Sequence, residues 1–123
     1  MNIAVVGTGY VGLVTGTCLA ETGNTVICVD NNQEKVNKLK AGVVPIYEPM
    51  LDVFFHRNIK AGRLSFTTDL SKAVKNAKII FLALPTPPGE NGSADLSYVL
   101  GVANDLGNII SDYKVIVDKS TVP

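Results

Sequence analysis

Five apolar runs recur along the chain, separated by stretches with a different rhythm. Asn2 to Val6 (NIAVV) ends in glycine, and Thr25 to Val29 (TVICV) ends in Asp30. Leu64 to Thr67 is weaker, Ile79 to Leu84 (IIFLAL) is strong, and Val115 to Val117 (VIV) completes the series. The runs are near-continuous rather than alternating, which predicts strands buried on both faces and hence a parallel sheet.

Between the runs the apolar spacing becomes helical. Tyr10 to Thr22 carries Gly12, Gly16 and Ala20 at i, i+4 and i+8, a small-residue stripe that lets a helix lie close to a sheet. Gly23 is placed to end it. Asn31 is placed to cap the next helix, with Glu34 as its capping-box partner and Gly42 closing it. Met50 to Ile59 groups Leu51, Phe54, Phe55 and Ile59 on one face, and Ser71 to Asn76 predicts a short helix. Leu96 to Ile110, capped by Asp95, places Leu96, Leu100, Ala103, Gly107 and Ile110 on one face.

The resulting order, β-α-β-α-α-β-α-β-α-β, predicts an α/β fold. We expect an open, doubly wound parallel sheet of about five strands in the order 3-2-1-4-5, with helices on both faces. Internal repeats and charge blocks are absent from the sequence. Pro85 to Asp95 (PTPPGENGSAD) stands apart as a polar, Pro/Gly-rich loop after the fourth strand. Loops at the carboxyl ends of such strands line the ligand crevice, so its position alone makes it a functional candidate.

Composition narrows the function classes. Lys+Arg and Asp+Glu both number 11, and a formally neutral chain lacks the field that gathers nucleic acid or acidic membrane. The longest apolar run, Ile79 to Leu84, falls far short of the roughly 18 residues of a membrane span. Met1-Asn2 leads straight into a strand without a basic leader, so no signal peptide is expected. Cys18 and Cys28 cannot build a disulfide framework; both sit among apolar neighbours and read as buried, reduced thiols of a cytoplasmic protein. His56, the single histidine, has no nucleophile paired with it in sequence, and no Cys/His/Asp cluster has metal-ligand spacing. Charged residues make up only 18% against a usual figure of about 25%. A sheet buried on both faces accounts for part of that deficit, and surface meant for a further domain and a second subunit for the rest.

Gly7-Thr8-Gly9-Tyr10-Val11-Gly12 matches G-x-G-x-x-G between a predicted strand and a predicted helix. Gly7 permits the tight turn, Gly9 lets a pyrophosphate approach the backbone, and Gly12 brings helix and strand together in a Rossmann-like unit. The free N–H groups at the helix start hold the phosphates. Asp30 follows the second strand, 18 residues after Gly12, where a carboxylate accepts hydrogen bonds from the ribose of an adenine dinucleotide. It would repel a 2′-phosphate, and Asn31 and Asn32 supply no arginine, so NAD is expected rather than NADP. Lys35, one turn further on, either reaches the same ribose or solvates a surface. Flavin and S-adenosylmethionine sites use much the same signature.

Three further segments carry a specific resemblance. They are Pro45-Ile46-Tyr47-Glu48-Pro49, Leu84-Pro85-Thr86-Pro87 running on to Gly92-Ser93-Ala94-Asp95-Leu96-Ser97-Tyr98, and Lys119-Ser120-Thr121-Val122-Pro123. Together with the glycine loop and Asp30, the whole chain resembles the amino-terminal NAD-binding domain of the UDP-glucose 6-dehydrogenase family of nucleotide-sugar dehydrogenases. Such enzymes oxidise the sugar C6 alcohol to a carboxylate in two NAD-dependent steps through a cysteine-linked intermediate.

Carried over, the resemblance implies that Gly7, Gly9 and Gly12, with the Tyr10 and Val11 backbone, hold the pyrophosphate. Asp30 and Lys35 take the adenosine ribose, and Thr86 and Thr121 lie near the nicotinamide. Residues 1–123 then form the dinucleotide domain, incomplete at its C-terminus. The catalytic cysteine and most sugar-nucleotide contacts lie beyond Pro123, and no residue of this chain is assigned a catalytic role. A UDP-sugar substrate and a homodimer are implied for the complete protein, and no activity for this chain alone. GDP-mannose or an N-acetylated UDP-sugar is an alternative substrate, and an NAD-sensing regulatory domain an alternative of another class. In one place the chain departs from the family pattern: glycine is expected after Tyr47-Glu48-Pro49, and Met50 stands there. Glu48 reads as a helix-start carboxylate.

Overall fold

The computed structural model describes residues 1–45, 48–85 and 97–119. The chain runs β1 (Asn2–Val6), α1 (Tyr10–Glu21), β2 (Thr25–Val29), α2 (Gln33–Lys40), α3 (Leu51–Lys60), β3 (Leu64–Thr67), α4 (Leu70–Lys75), β4 (Ile79–Leu82), α5 (Ser97–Ile109) and β5 (Val115–Asp118). The five strands form one sheet in the order β3-β2-β1-β4-β5, and every pairing is parallel. β1 lies at the centre, pairing Val6 with Val29 on one side and with Leu82 on the other.

Alternate residues of the strands feed two separate cores. Ile3 and Val5 join Val26, Cys28, Leu64 and Phe66 beneath α1, α2 and α3, represented by Leu13, Val36, Leu39 and Phe55. Ala4 and Val6 turn the other way, joining Val29, Ile80 and Leu82 beneath α4 and α5 with Val74 and Leu106. Both faces are therefore covered over the inner strands β1, β2 and β4, which is why these read as unbroken apolar runs; the apolar run of the edge strand β5 does not follow that expectation, since Val115 and Ile116 are exposed.

The small stripe on α1 does what its composition requires. Gly12, Gly16 and Ala20 are buried, and a Cβ on Gly16 would lie 2.7 Å from Cys28 Sγ. Cys18, off that stripe, is exposed and corrects the expectation of two buried thiols, since two residues further on is more than half a helical turn from Gly16. Cys28 is enclosed, and burial pushes its thiol up to about 12. At the far end of α1, Glu21 accepts from Arg57 Nη2 at 2.6 Å and from Asn58 Nδ2 at 2.8 Å, and Arg63 Nε donates to Asn58 Oδ1 at 2.9 Å. This network gives the fully buried Asn58 its partners and ties α1 and α3 to the start of β3.

Other corrections concern helix starts and one helix face. Asn32, not Asn31, caps α2, its side chain accepting from the Lys35 N–H at 3.1 Å. The Asp30 carboxylate takes the Asn32 N–H at 3.0 Å, a tight turn that moves the helix start on by one residue and leaves Glu34 outside any capping box. α4 begins at Leu70 with Asp69 as its cap. α3 begins at Leu51, and its preceding residue Met50 adopts φ 67°, the left-handed conformation in which glycine avoids a steric cost of about 1 kcal/mol. Met50 is thus tolerated at a position whose backbone suits glycine.

α5 does not bury the stripe expected of it. Leu106 is buried, with Val102, Ile109 and Ile110 packed beside it, while Leu100 is 64% exposed and Ala103 and Gly107 face solvent. The helix carries two apolar stripes about a quarter turn apart, and the one with larger side chains meets the sheet. Asp95 and Leu96 lie outside the described residues.

One buried polar atom has no partner among the described residues: the Thr17 hydroxyl on α1, with Thr17 wholly enclosed. Valine has the same shape without the desolvation cost. Thr17→Val should raise the unfolding free energy by about 1 kcal/mol in urea titrations. A loss of stability would mean that the hydroxyl is satisfied in solution.

Candidate dinucleotide crevice at the carboxyl edge of the sheet

The order of the strands reverses at β1, whose neighbours β2 and β4 lead away in opposite directions. A crevice of about 620 Å³ opens there, at the carboxyl ends of the strands. Its floor is Val6, Gly7, Val29 and Ala83; its walls include Asp30 and Lys35 on one side and Leu70, Val102 and Asp105 on the other.

The glycine loop forms the centre of the floor. Gly7 has φ 108° and donates its N–H to Val29 O at 2.7 Å, and a Cβ on it would lie 2.2 Å from Ala83 O. A Cβ on Gly12 would meet the Gly7 carbonyl oxygen at 1.9 Å. Gly9 differs: no heavy atom comes within 4 Å of where its Cβ would be, so the space above it is open. α1 starts directly after it without a side-chain cap. The first N–H groups of the helix, those of Tyr10 and Val11 among them, have no intrahelical partner and form a positive end against the crevice.

Asp30 stands at the end of the crevice beyond β2, its N–H bonded to Thr67 O at 3.1 Å. Its Oδ2 accepts from the Thr8 hydroxyl at 2.6 Å and from the Thr8 N–H at 3.3 Å, and Lys35 Nζ lies 3.5 Å away. Its Oδ1 accepts from the Asn32 N–H. Partial burial alone would raise the carboxyl, but the Thr8 hydroxyl, the Asn32 N–H and the Lys35 ammonium outweigh it and hold the group below its ordinary value. Tyr10, half exposed at the mouth, has its hydroxyl raised above the ordinary value by the neighbouring Glu48 carboxylate. The Glu48 carbonyl accepts the Leu51 N–H at the start of α3.

Seven of the nine sequence-derived site residues, Gly7, Gly9, Tyr10, Val11, Gly12, Asp30 and Lys35, thus come together at or beneath one crevice. Thr86 and Thr121 lie outside the described residues. His56 is elsewhere, its Nε2–H donating to Gly42 O at 2.8 Å. Sequence reasoning missed Thr8, Leu70, Val102, Asp105 and Lys119. Thr8 could have been singled out as the one polar side chain enclosed between the glycines, but the wall residues become neighbours only through the sheet.

All 123 residues match the UDP-glucose/GDP-mannose dehydrogenase family, NAD binding domain. The chain belongs to that family. It is 51% identical over 122 residues to the UDP-glucose 6-dehydrogenase TuaD of Bacillus subtilis, covering 99% of this chain and 26% of that protein. Among solved structures, the GDP-mannose dehydrogenase ternary complex from Pseudomonas aeruginosa superposes with a TM-score of 0.94 at 38% identity, over 99% of this chain and 29% of that one. The UDP-glucose dehydrogenase of Pyrobaculum islandicum gives 0.92 at 40% identity, over 98% and 29%. The chain is this family's NAD-binding domain and spans about a quarter of the length of the curated relatives it matches.

The Asp30 environment carries a pH signature. A carboxyl whose folded value is depressed contributes stability above its unfolded value near pH 4, and that contribution is lost as pH falls through the lower folded value. Wild type should therefore exceed Asp30→Asn in unfolding free energy at pH 6 to 7, with the gap closing below about pH 4. A gap that persists unchanged to pH 3 would show that the Asp30 charge is not what Thr8, Asn32 and Lys35 stabilise.

Proposed function

We propose that this domain holds NAD within a nucleotide-sugar 6-dehydrogenase, with UDP-glucose as the sugar nucleotide of the complete, homodimeric protein. The observation that carries the reading is the pairing, in one crevice, of an uncapped helix start beneath open space at Gly9 with an ionised carboxylate at Asp30. Gly7, Gly9 and Gly12 shape the floor, and the backbone N–H groups at Tyr10 and Val11 take the pyrophosphate. Asp30 accepts from the adenosine ribose hydroxyls, and Lys35 offsets its charge and reaches the same ribose. In the same reading Thr86 and Thr121 lie at the nicotinamide end. Bound NAD supplies the hydride acceptor; this chain's residues bind and orient it.

UDP-glucose is favoured over GDP-mannose by the higher identity to a UDP-glucose 6-dehydrogenase, 51% against 38% for the GDP-mannose enzyme. The product of the complete protein would be UDP-glucuronate, formed with two NAD. Neither cysteine of this chain suits a covalent role: Cys28 is enclosed with its thiol held neutral, and Cys18 lies on the outer surface of α1. The exposed Leu100, Tyr113, Val115 and Ile116 on and beside α5 and β5 support a role inside a larger assembly.

Purified protein should enhance NADH fluorescence, and Asp30→Ala should weaken NADH by roughly tenfold, the scale of a charge-assisted hydrogen bond. This chain should turn over no UDP-glucose. Unchanged NADH affinity in Asp30→Ala would sink the binding assignment, and UDP-glucuronate formed by these 123 residues would sink the division of labour.

A further inference from the structure

The residue between the first two glycines of a dinucleotide loop has no assigned task, yet here it is one of the most enclosed polar side chains. Thr8 is 1% exposed, and its hydroxyl proton goes to Asp30 Oδ2 at 2.6 Å. We propose that Thr8 is a positioning residue: its buried hydroxyl fixes the orientation of the Asp30 carboxylate and thereby sets the preference for NAD over NADP. This rests on the reading that Asp30 receives the adenosine ribose.

The other donors around Asp30 cannot do the same work. Lys35 Nζ is 3.5 Å away on a side chain 38% exposed, a mobile charge rather than a fixed one. The Thr8 N–H reaches the same oxygen at 3.3 Å, beyond the ordinary range of a good bond. The Asn32 N–H is well placed but serves Oδ1. Thr8 is therefore the short, enclosed side-chain donor on Oδ2 among the described residues. A carboxylate offers about two lone pairs on each oxygen. With one position of Oδ2 taken by the Thr8 hydroxyl and one of Oδ1 by the Asn32 N–H, each oxygen keeps a position for a ribose hydroxyl. A fixed carboxylate both accepts there and keeps its charge where a 2′-phosphate would have to sit. Once the hydroxyl is gone, the group is free to turn towards Lys35 and discriminates less.

The test titrates NADH and NADPH by fluorescence against wild type, Thr8→Val, Thr8→Ser and Asp30→Ala, and against the double variant carrying Thr8→Val and Asp30→Ala. Thr8→Val, nearly isosteric, should weaken NADH roughly tenfold and change NADPH by less than about twofold, so their ratio falls. Thr8→Ser keeps the hydroxyl and should restore both the affinity and the ratio. Thr8→Val should add nothing once Asp30 is alanine, because it acts through that carboxylate. Thermal melts accompany each variant, and Thr8→Ala gives the same comparison if valine is not accommodated. Wild-type NADH binding in Thr8→Val overturns the proposal, as does parallel weakening of both dinucleotides or an undiminished effect in the Asp30→Ala background. If Asp30→Ala itself binds NADH normally, the ribose reading fails beneath it; a silent Thr8→Val beside an active Asp30→Ala removes this proposal alone.

Discussion

Everything at the crevice depends on how closely three backbone segments approach one another. The Gly7 carbonyl lies where a Gly12 Cβ would fall, and a Gly7 Cβ would fall on the carbonyl of Ala83 after β4. Any side chain at either glycine would push the start of α1 away from the carboxyl ends of β1 and β4, with nowhere for the neighbouring backbone to retreat. Because the approach is that tight, the first N–H groups of the helix lie at the floor of the crevice. The Gly7 N–H bond to Val29 then fixes the end of β2, and with it Asp30. Charge at both ends of the site follows from sterics at its centre.

Opposed partial charges then divide the crevice by chemistry. The uncapped helix start is suited to phosphates, while Asp30 is suited to neutral hydroxyl donors and hostile to further anions. The carboxylate holds its charge despite partial burial because donors from the loop and from α2 converge on it. Thr8, Asp30 and Lys35 thus form one connected group of residues, all contributed by the first two strand–helix units.

The sequence pattern made the sheet legible because a strand buried on both faces leaves little room for ambiguity. Three strands, Asn2–Val6, Thr25–Val29 and Leu64–Thr67, have the ends that their apolar runs indicate. The glycine loop and Asp30 were equally legible, since turn and phosphate chemistry each demand particular residue types at particular spacing. Less visible were features decided by competition. Asn31 and Asn32 are both good caps, and the hydrogen bond from Asn32 to Asp30 chooses between them. α5 offers two apolar stripes, and only the packing of Leu106 against the sheet selects one. Cys18 shares an apolar neighbourhood with Cys28 along the chain but not around the helix. The Thr8 contact spans 22 positions, so local spacing singles out the residue but not its partner.

A single NAD site formed by the glycine loop and the end of β2, with backbone N–H groups as the phosphate ligands, has a signature in the amide resonances of isotopically labelled protein titrated with NAD. The largest shifts should fall on Gly9, Tyr10, Val11 and Asn32, while the amides of α3 stay still. Shifts centred elsewhere, or a silent glycine loop at saturating NAD, would mean that the phosphates are not held by these N–H groups.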